Sequence, residues 1–89
     1  MKRFRYLEGI AKGFANHRRI EILALLEKTP ELSLSEVSEA VGVDFRTAGE
    51  HMHKLVASGL VMKRNAGKAV RHAVTPLGHK VLRFCRTLE

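Results

Sequence analysis

Side chains that can bind an anion or a base edge concentrate in two short segments, residues 45–54 and 63–71. In the first segment, helical spacing predicts an outward face with its flanks, made of Phe45, Arg46, Thr47, Gly49, Glu50, His53 and Lys54. Arg46 is best suited to reading a base, because a guanidinium can donate two hydrogen bonds to guanine O6 and N7. A phosphate contact or a solvated charge is the alternative for Arg46. We expect His53 and Lys54 to contact phosphates, whereas Thr47 could bond a phosphate, touch a thymine methyl or support the first helical turn.

Three residues of this face fit a nucleic acid less well. Glu50 would be repelled by phosphates unless it accepts from cytosine N4 or pairs with Arg46, four residues earlier. Gly49 costs about 1 kcal/mol relative to alanine inside a helix, and it would let DNA or another helix approach closely. Phe45 could stack on a thymine methyl or a sugar, but an exposed aromatic side chain also suits a protein interface.

The second segment places four cations around a glycine turn: Lys63, Arg64, Lys68 and Arg71. Cations at a turn suit contact with a phosphate or with an adjacent minor groove. Arg64 and Lys68 are the first candidates for such contacts, and solvated charge is the alternative. His51 lies towards the inner side of the helix predicted for the first segment, and we expect it to be a partly buried histidine rather than a DNA contact.

A helix-turn-helix over about residues 35–58 would position the first segment. Val37, Ala40 and Val41 recur at helical spacing, Gly42 permits a sharp turn, and Asp44 can cap a second helix. The inner face of that second helix comprises Ala48, Met52, Leu55 and Val56, and Gly59 ends it. This arrangement lays its second helix in the DNA major groove.

A β-hairpin would position the second segment. Leu60–Arg64 is strand-like, Asn65–Lys68 reads as a turn, and Ala69–Val74 is a second strand whose alternation puts Val70, His72 and Val74 inward. A hairpin over about residues 60–75, directly after a recognition helix, is the wing of a winged helix.

Further helices complete a mainly α fold with a small β-hairpin wing, in the order α-α-(β)-α-α-β-β-α. The terminal helices are predicted at about 3–14 and 76–88, the last opening at Thr75-Pro76. Asn16 caps a heavily buried central helix, Leu32–Leu34 forms a short strand, and Ser35 caps the first helix of the motif. We predict that residues 1–89 form one winged helix-turn-helix domain.

Charge and composition favour a DNA-binding protein of the cytoplasm. The net charge of +7 divides into +5 over residues 1–19, −4 over 20–58 and +6 over 59–89. Positive ends around an acidic middle suit phosphates held by the N-terminal segment and the wing. Lys2, Arg3 and Arg5 form either an arm over the DNA backbone or a solubilising tail. The chain has no stretch long and apolar enough for a membrane span, and its one cysteine fits a reducing compartment.

The sequence resembles the ArsR-like winged-helix transcriptional regulators of prokaryotes, and more loosely the MarR-like ones. The resemblance extends from Ala15 to about Gly78 and rests on Ala15–Leu23, Ser35–Val37, Gly42–Val43, Thr47, His51–Met52, Leu55, Ser58–Val61 and Val74–Gly78. It implies a homodimer on operator DNA, joined through the first and last helices. The candidate dimer residues on these helices are Phe4, Leu7, Leu82, Cys85 and Leu88.

No cofactor or metal is expected within one chain. Metal-sensing relatives carry paired cysteines or carboxylate and histidine clusters, whereas this chain has one cysteine. His51 and His53 are two residues apart on a helix and do not share a face, and His79 and Cys85 are six apart. Because the terminal helices are short, we expect any small-molecule inducer to bind at the dimer seam.

Two functional hypotheses follow. The first is a homodimeric transcriptional repressor that occupies operator DNA through a recognition helix in the major groove and a basic wing on the backbone or minor groove. The second is a winged-helix protein-interaction module with little sequence-specific DNA binding, in which Phe45 and Glu50 face a partner. An enzyme is not expected, because the chain has no phosphate-binding glycine loop, nucleophile motif or paired carboxylates.

Overall fold

The computed structural model, which describes residues 2–89, contains a two-stranded antiparallel sheet and α-helices before and after it. In chain order the elements are α1 (Lys2–Phe14), α2 (His17–Lys28), α3 (Leu34–Val41), α4 (Phe45–Ala57), β1 (Val61–Ala66), β2 (Ala69–Val74) and α5 (Pro76–Thr87). The predicted fold class and element order are confirmed. Arg3 and Arg5 lie within α1, so the prediction of an N-terminal arm is wrong at these positions, because their backbone is helical.

Helix α2 forms the centre of the molecule and contacts α1, α3, α4, α5 and β2. Its Ile22, Leu23 and Leu26 are almost completely buried, and full burial of such a side chain stabilises a fold by about 1.5–3 kcal/mol. Asn16 caps the helix as predicted, since its Oδ1 accepts from the backbone N–H of Arg18 at 2.9 Å. The central, buried helix is therefore the framework on which the other elements are arranged.

The segment between α2 and α3 attaches to the wing by a single bridge instead of a strand. The strand predicted over Leu32–Leu34 is wrong, because only Leu32 pairs with His72 of β2, and Leu34 already belongs to α3. The backbone N–H groups of His72 and Glu31 donate to Leu32 O and His72 O at 3.1 and 3.0 Å. The buried His72 ring lies with Nδ1 2.9 Å from Leu32 O, so this nitrogen carries the proton, because a carbonyl oxygen only accepts.

A capping box begins α3 two residues before the predicted cap. Ser33 Oγ accepts from Glu36 N at 3.2 Å, and Glu36 Oε1 accepts from Ser33 N at 2.9 Å. The box needs a hydroxyl residue followed three positions later by Glu or Gln. Ser33 and Glu36 have that spacing, whereas Ser35 is followed by Ser38, which is why the prediction of Ser35 as the cap is wrong.

The hairpin has the predicted extent, but its strands pair further towards a shorter turn. Strand pairing continues to Ala66 and Ala69, which reduces the predicted four-residue turn to Gly67 and Lys68, with Gly67 in the left-handed region at φ 65°. In β1 only Val61 is buried, because the rest of the hairpin extends beyond the core. Val70 shares the predicted inward face with the buried His72, but it lies beyond the core and is exposed, so the prediction that it packs inward is wrong.

Helix α5 closes the core on the side of the wing. Thr75 Oγ1 donates to Gly59 O at 2.6 Å and accepts from Gly78 N at 3.0 Å, which confirms the predicted start at Thr75-Pro76. Leu82 is 3% exposed and belongs to the core. It is therefore removed from the candidate dimer residues, because a side chain buried within one chain has no surface to offer a partner. No helix within residues 2–89 has the length and apolarity that crossing a membrane requires.

Gly78 is required by close packing between α5 and the start of the wing. A Cβ at this position would lie 2.3 Å from Leu60 O and 2.6 Å from Val74 Cγ1. We expect Gly78→Ala to lower the free energy of unfolding by about 1–3 kcal/mol, because backbone and side chain must both shift. Urea unfolding followed by circular dichroism measures this change.

Gly9→Ala is the matched control. A Cβ at Gly9 has no neighbour within 4 Å, so the helix preference of alanine should raise the free energy of unfolding by up to about 1 kcal/mol. Equal changes in the two variants would contradict the packing argument.

Candidate nucleic-acid interface

The start of α4 is held by a glycine turn and a carboxylate cap. Gly42 ends α3 in the left-handed region at φ 78°. Asp44 Oδ1 then accepts from Thr47 N at 2.8 Å, and Thr47 Oγ1 donates to Asp44 Oδ2 at 2.9 Å. The backbone hydrogen bond from Thr47 holds the pKa of Asp44 below its ordinary value. Thr47 therefore supports the first helical turn, which is one of the roles considered for it.

The outer face of α4 is open to solvent. The Arg46 side chain is 91% exposed, and its Nε lies 3.5 Å from Glu50 Oε1, in the ion pair expected from the spacing. Phe45, His53 and Lys54 are also exposed. The inner face of α4 packs Ala48, Met52 and Leu55 into the core. Burial of this inner face fixes the orientation of the helix and leaves the outer face available to a partner.

Packing against another helix does not account for Gly49. A Cβ at Gly49 would lie 3.5 Å from Leu34 Cδ2 of α3, which is ordinary van der Waals contact. Alanine would therefore fit this position within one chain. Tight packing of another helix of the same chain is therefore not the reason for a glycine here, and close approach of DNA stays a prediction.

His51 lies on the inner side of α4, where Arg19 of α2 reaches it. Arg19 Nη1 is 3.3 Å from His51 Nδ1, and the same guanidinium donates to Gly13 O at 2.8 Å and Lys12 O at 3.3 Å. Burial, followed by the positive charge of Arg19, lowers the pKa of His51 below its ordinary value of 6.5. A half-buried, hydrogen-bonded His51 agrees with the structural role expected for it.

The wing arginines are paired with acidic residues near the start of α3. Arg64 Nε lies 3.1 Å from Glu31 Oε1, and Arg71 Nη1 lies 3.3 Å from Glu36 Oε1. Arg71 Nη1 also donates to Glu31 O at 3.3 Å. Hydrogen bonds from Ser33, backbone first, lower the pKa of Glu36, which keeps its carboxylate charged. In the free protein, both arginines are therefore already paired with a carboxylate of the same chain.

Sequence reasoning missed these acidic partners because they are distant in the chain. Glu36 is 35 residues from Arg71, and no local spacing indicates such a pair. Glu31 adopts the left-handed region at φ 69°, which sequence does not reveal for a non-glycine residue. Within residues 2–89, Lys63 and Lys68 form no ion pair with an acidic side chain, so these wing cations are available.

The structure brings the recognition face and the wing to one side of the molecule. A cleft of about 250 Å³ is bordered by Gly49 and His53 of α4, by Leu34 of α3 and by Lys63 and Val70 of the wing. Gly49 and His53 of the first segment and Lys63 of the second therefore border one cleft, whereas Arg64 and Arg71 lie on the opposite face of the hairpin. The residues that the structure describes contain no group of three or more His, Cys, Asp and Glu able to hold a metal ion.

Comparison with protein families decides what this arrangement is. A family model described as winged helix-turn-helix DNA-binding matches residues 16–62, more than half of the 89 residues. The chain belongs to the winged helix-turn-helix DNA-binding family. The match includes α2, α3, α4 and the first residues of β1, which are the framework and recognition elements of this winged helix. No curated protein sequence matches the chain.

Solved structures share this winged helix. NolR from Sinorhizobium fredii superposes with a TM-score of 0.88 at 23% identity, over 98% of this chain and 87% of NolR. HlyU from Vibrio cholerae gives 0.83 at 25% identity, over 98% of this chain and 95% of HlyU. The winged helix-turn-helix domain of Mb0332 from Mycobacterium bovis gives 0.85 at 23% identity, over 96% and 79%.

The Mycobacterium bovis domain is described as homodimeric and as part of a possible ArsR-family transcriptional regulator. An ArsR-like regulator from Rhodococcus also matches, with a TM-score of 0.79. The resemblance to ArsR-like winged-helix proteins is thereby confirmed at the level of fold and winged-helix family.

The ion pair between Glu31 and Arg64 would have to break before Arg64 could bind a phosphate. We expect Glu31→Gln to tighten binding of a random-sequence duplex by up to about five-fold at low salt, because an exposed ion pair is worth about 0.2–1 kcal/mol. Fluorescence anisotropy measures the dissociation constant.

Glu39→Gln is the matched control, since it removes the same charge from an exposed position of α3. Similar changes in both variants would attribute the effect to net charge alone. Weaker binding by Glu31→Gln would instead mean that the carboxylate positions Arg64 for DNA.

Proposed function

We propose that residues 1–89 act as one DNA-binding domain of a homodimeric transcriptional regulator that represses by occupying operator DNA. The observation that carries this proposal is the shared surface of α4 and the wing, in a chain of the winged helix-turn-helix DNA-binding family. The function needs no bound cofactor and no catalysis, and it places the protein in the cytoplasm, where its DNA is.

In this proposal α4 enters the major groove with its outer face towards the bases. Arg46 is 91% exposed and reads guanine once it leaves Glu50, which can then accept from a neighbouring cytosine N4. Gly49 lets the backbone approach the DNA, and Phe45 contacts a thymine methyl or a sugar. His53 and Lys54 bind phosphates along the groove, and Thr47 acts mainly through the cap.

The wing supplies contacts that do not depend on sequence. Lys68 stands at the hairpin turn, where a cation reaches furthest from the core, and Lys63 borders the cleft next to α4. Arg64 exchanges its ion pair with Glu31 for a phosphate. Arg71 is held by both Glu31 and Glu36, so its main role is to fix the wing against α3.

Apolar surface on the terminal helices supports a homodimer. Phe4 is 64%, Leu7 52% and Leu88 69% exposed, while Cys85 packs partly against the core. Phe84 lies on α5, four residues before its C-cap Leu88, and is exposed as well. Two copies joined through these helices would place their recognition helices about 34 Å apart, on successive major grooves.

A protein-interaction module remains the second candidate, because Phe45 and the Arg46–Glu50 pair would suit a protein partner as well. Neutralising the wing separates the two functions. We expect Arg64→Gln with Lys68→Gln to weaken binding to all duplex sequences and to reduce the slope of log K against log salt by nearly 2, since each lost phosphate contact removes about 0.9. Titration of a fluorescent random-sequence duplex at several salt concentrations measures both quantities.

The control for this double variant is Lys80→Gln with Arg83→Gln, which removes the same charge from exposed positions of α5. It should leave the salt slope close to that of the wild type. If the wild type does not bind DNA even at low salt, the regulator proposal fails and the interaction module takes its place.

The proposed dimer has its own test. We expect Phe4→Ser with Leu7→Ser to shift the protein from dimer to monomer in analytical ultracentrifugation, because both side chains lose the apolar surface that a partner would cover. Met62→Ser, at an exposed position of the wing, should leave the dimer unchanged. A wild-type protein that sediments as a monomer at high micromolar concentration would exclude this dimer.

A further inference from the structure

A second cleft, separate from the α4–wing surface, opens between α1 and the last turns of α4. It encloses about 420 Å³ and is lined by the cationic side chains of Arg5, Lys12 and Lys54. Tyr6, Ile10 and Ala57 add aromatic and aliphatic surface. The volume lies within the range of about 300–1,000 Å³ that small-molecule sites occupy.

The two helices meet at one end of this cleft and separate at the other. A Cβ on Gly13 would lie 2.5 Å from Ser58 Cβ, whereas a Cβ on Gly9, one helical turn earlier, would meet nothing within 4 Å. At the closed end Arg19 donates to Gly13 O and lies against His51 of α4. The cleft is therefore closed at the end near Gly13 and open at the end near Gly9.

The cleft lies away from the apolar surface assigned to the dimer. With about 3.6 residues per turn, positions 4 and 7 of α1 point to the side of the helix opposite positions 5, 9 and 13. Gly9 and Gly13 line the cleft, and Phe4 and Leu7 do not. A dimer built on Phe4 and Leu7 thus leaves the cleft accessible within each protomer, instead of requiring an inducer to enter the dimer seam.

The charges around the cleft indicate the chemistry of its occupant. Lys12 has a partial partner in Glu8, with Nζ 3.5 Å from Oε2. Within residues 2–89, Arg5 and Lys54 form no ion pair with an acidic side chain. An anionic group can therefore be bound between cations from both helices, while an apolar body covers Tyr6 and Ile10.

We propose that this cleft binds a small anion with an apolar body, and that its occupation weakens DNA binding. The second part rests on the proposed function, because Lys54 belongs both to the cleft and to the phosphate-contacting face of α4. An anion bound at Lys54 neutralises a charge that DNA needs, and the two ligands oppose each other reciprocally.

Binding is tested without DNA, using anilinonaphthalene sulfonate as an anionic fluorescent probe. We expect saturable binding of one probe per protomer, and at least about ten-fold weaker binding of the uncharged N-phenylnaphthylamine, because hydrogen bonds to charged groups are the stronger ones. Equal affinities for the two probes would overturn the anionic assignment.

Two variants locate the probe. Gly9→Leu fills open space in the cleft and should abolish binding, and Arg5→Gln with Lys54→Gln should weaken it about ten-fold. Met62→Ser, at an exposed position of the wing outside the cleft, should leave probe binding unchanged. If Gly9→Leu binds as the wild type does, or Met62→Ser loses binding, the cleft is not the site.

Competition with DNA tests the effector role separately. A saturating concentration of the anionic probe should weaken duplex binding several-fold in the wild type, and should have no effect in Gly9→Leu. Probe binding at the cleft with unchanged DNA affinity would overturn the effector role. A protein that binds the probe but never binds DNA would instead overturn the proposed function, leaving the ligand site in place.

Discussion

The burial of α2 is the constraint on which the other elements depend. Ile22, Leu23 and Leu26 are shielded from water only when helices and strand surround α2 on several sides, and this burial is a main source of stability for so short a chain. Because α4 must contribute Met52 and Leu55 to the same core, its orientation is fixed, and the residues between these positions are directed outward. The recognition surface is thus a consequence of how the core closes.

Electrostatics at the wing shows a second level of organisation. The chain carries an excess of positive charge, yet Arg64 and Arg71 are paired with Glu31 and Glu36 instead of standing free in solvent. Glu36 also completes the capping box of α3, so one carboxylate stabilises a helix start and holds a strand of the wing. The acidic middle of the sequence is therefore not simply a neutral spacer between basic ends, because two of its carboxylates set how the wing lies against α3.

Short-range sequence patterns predicted most helices and strands correctly. The features that they could not predict arise from contacts between residues far apart in the chain. Asn16, Asp44 and Thr75 act as caps because their side chains reach backbone N–H groups two or three residues away. The Arg46–Glu50 pair follows from helical spacing in the same way. The capping box of Ser33 is also local, but the sequence offers a second serine, Ser35, and the N-cap of α3 was predicted there. The partners of Arg64, the burial of Leu82 and the exposure of Val70 depend on tertiary packing, which no short window of sequence contains. The roles assigned to the individual DNA-contacting residues stay predictions.

The Arg19 guanidinium links the first helix to the recognition helix. It donates to the carbonyl groups of Lys12 and Gly13 and lies 3.3 Å from Nδ1 of His51, so one side chain of α2 contacts both the end of α1 and the middle of α4. Helix α1 has 13 residues and is thus about 20 Å long, and the surface proposed to meet a second copy lies near its other end. In the proposed dimer, a change in the angle between the two α1 helices would therefore alter the distance between the two recognition helices, and with it the operator spacing that the dimer fits.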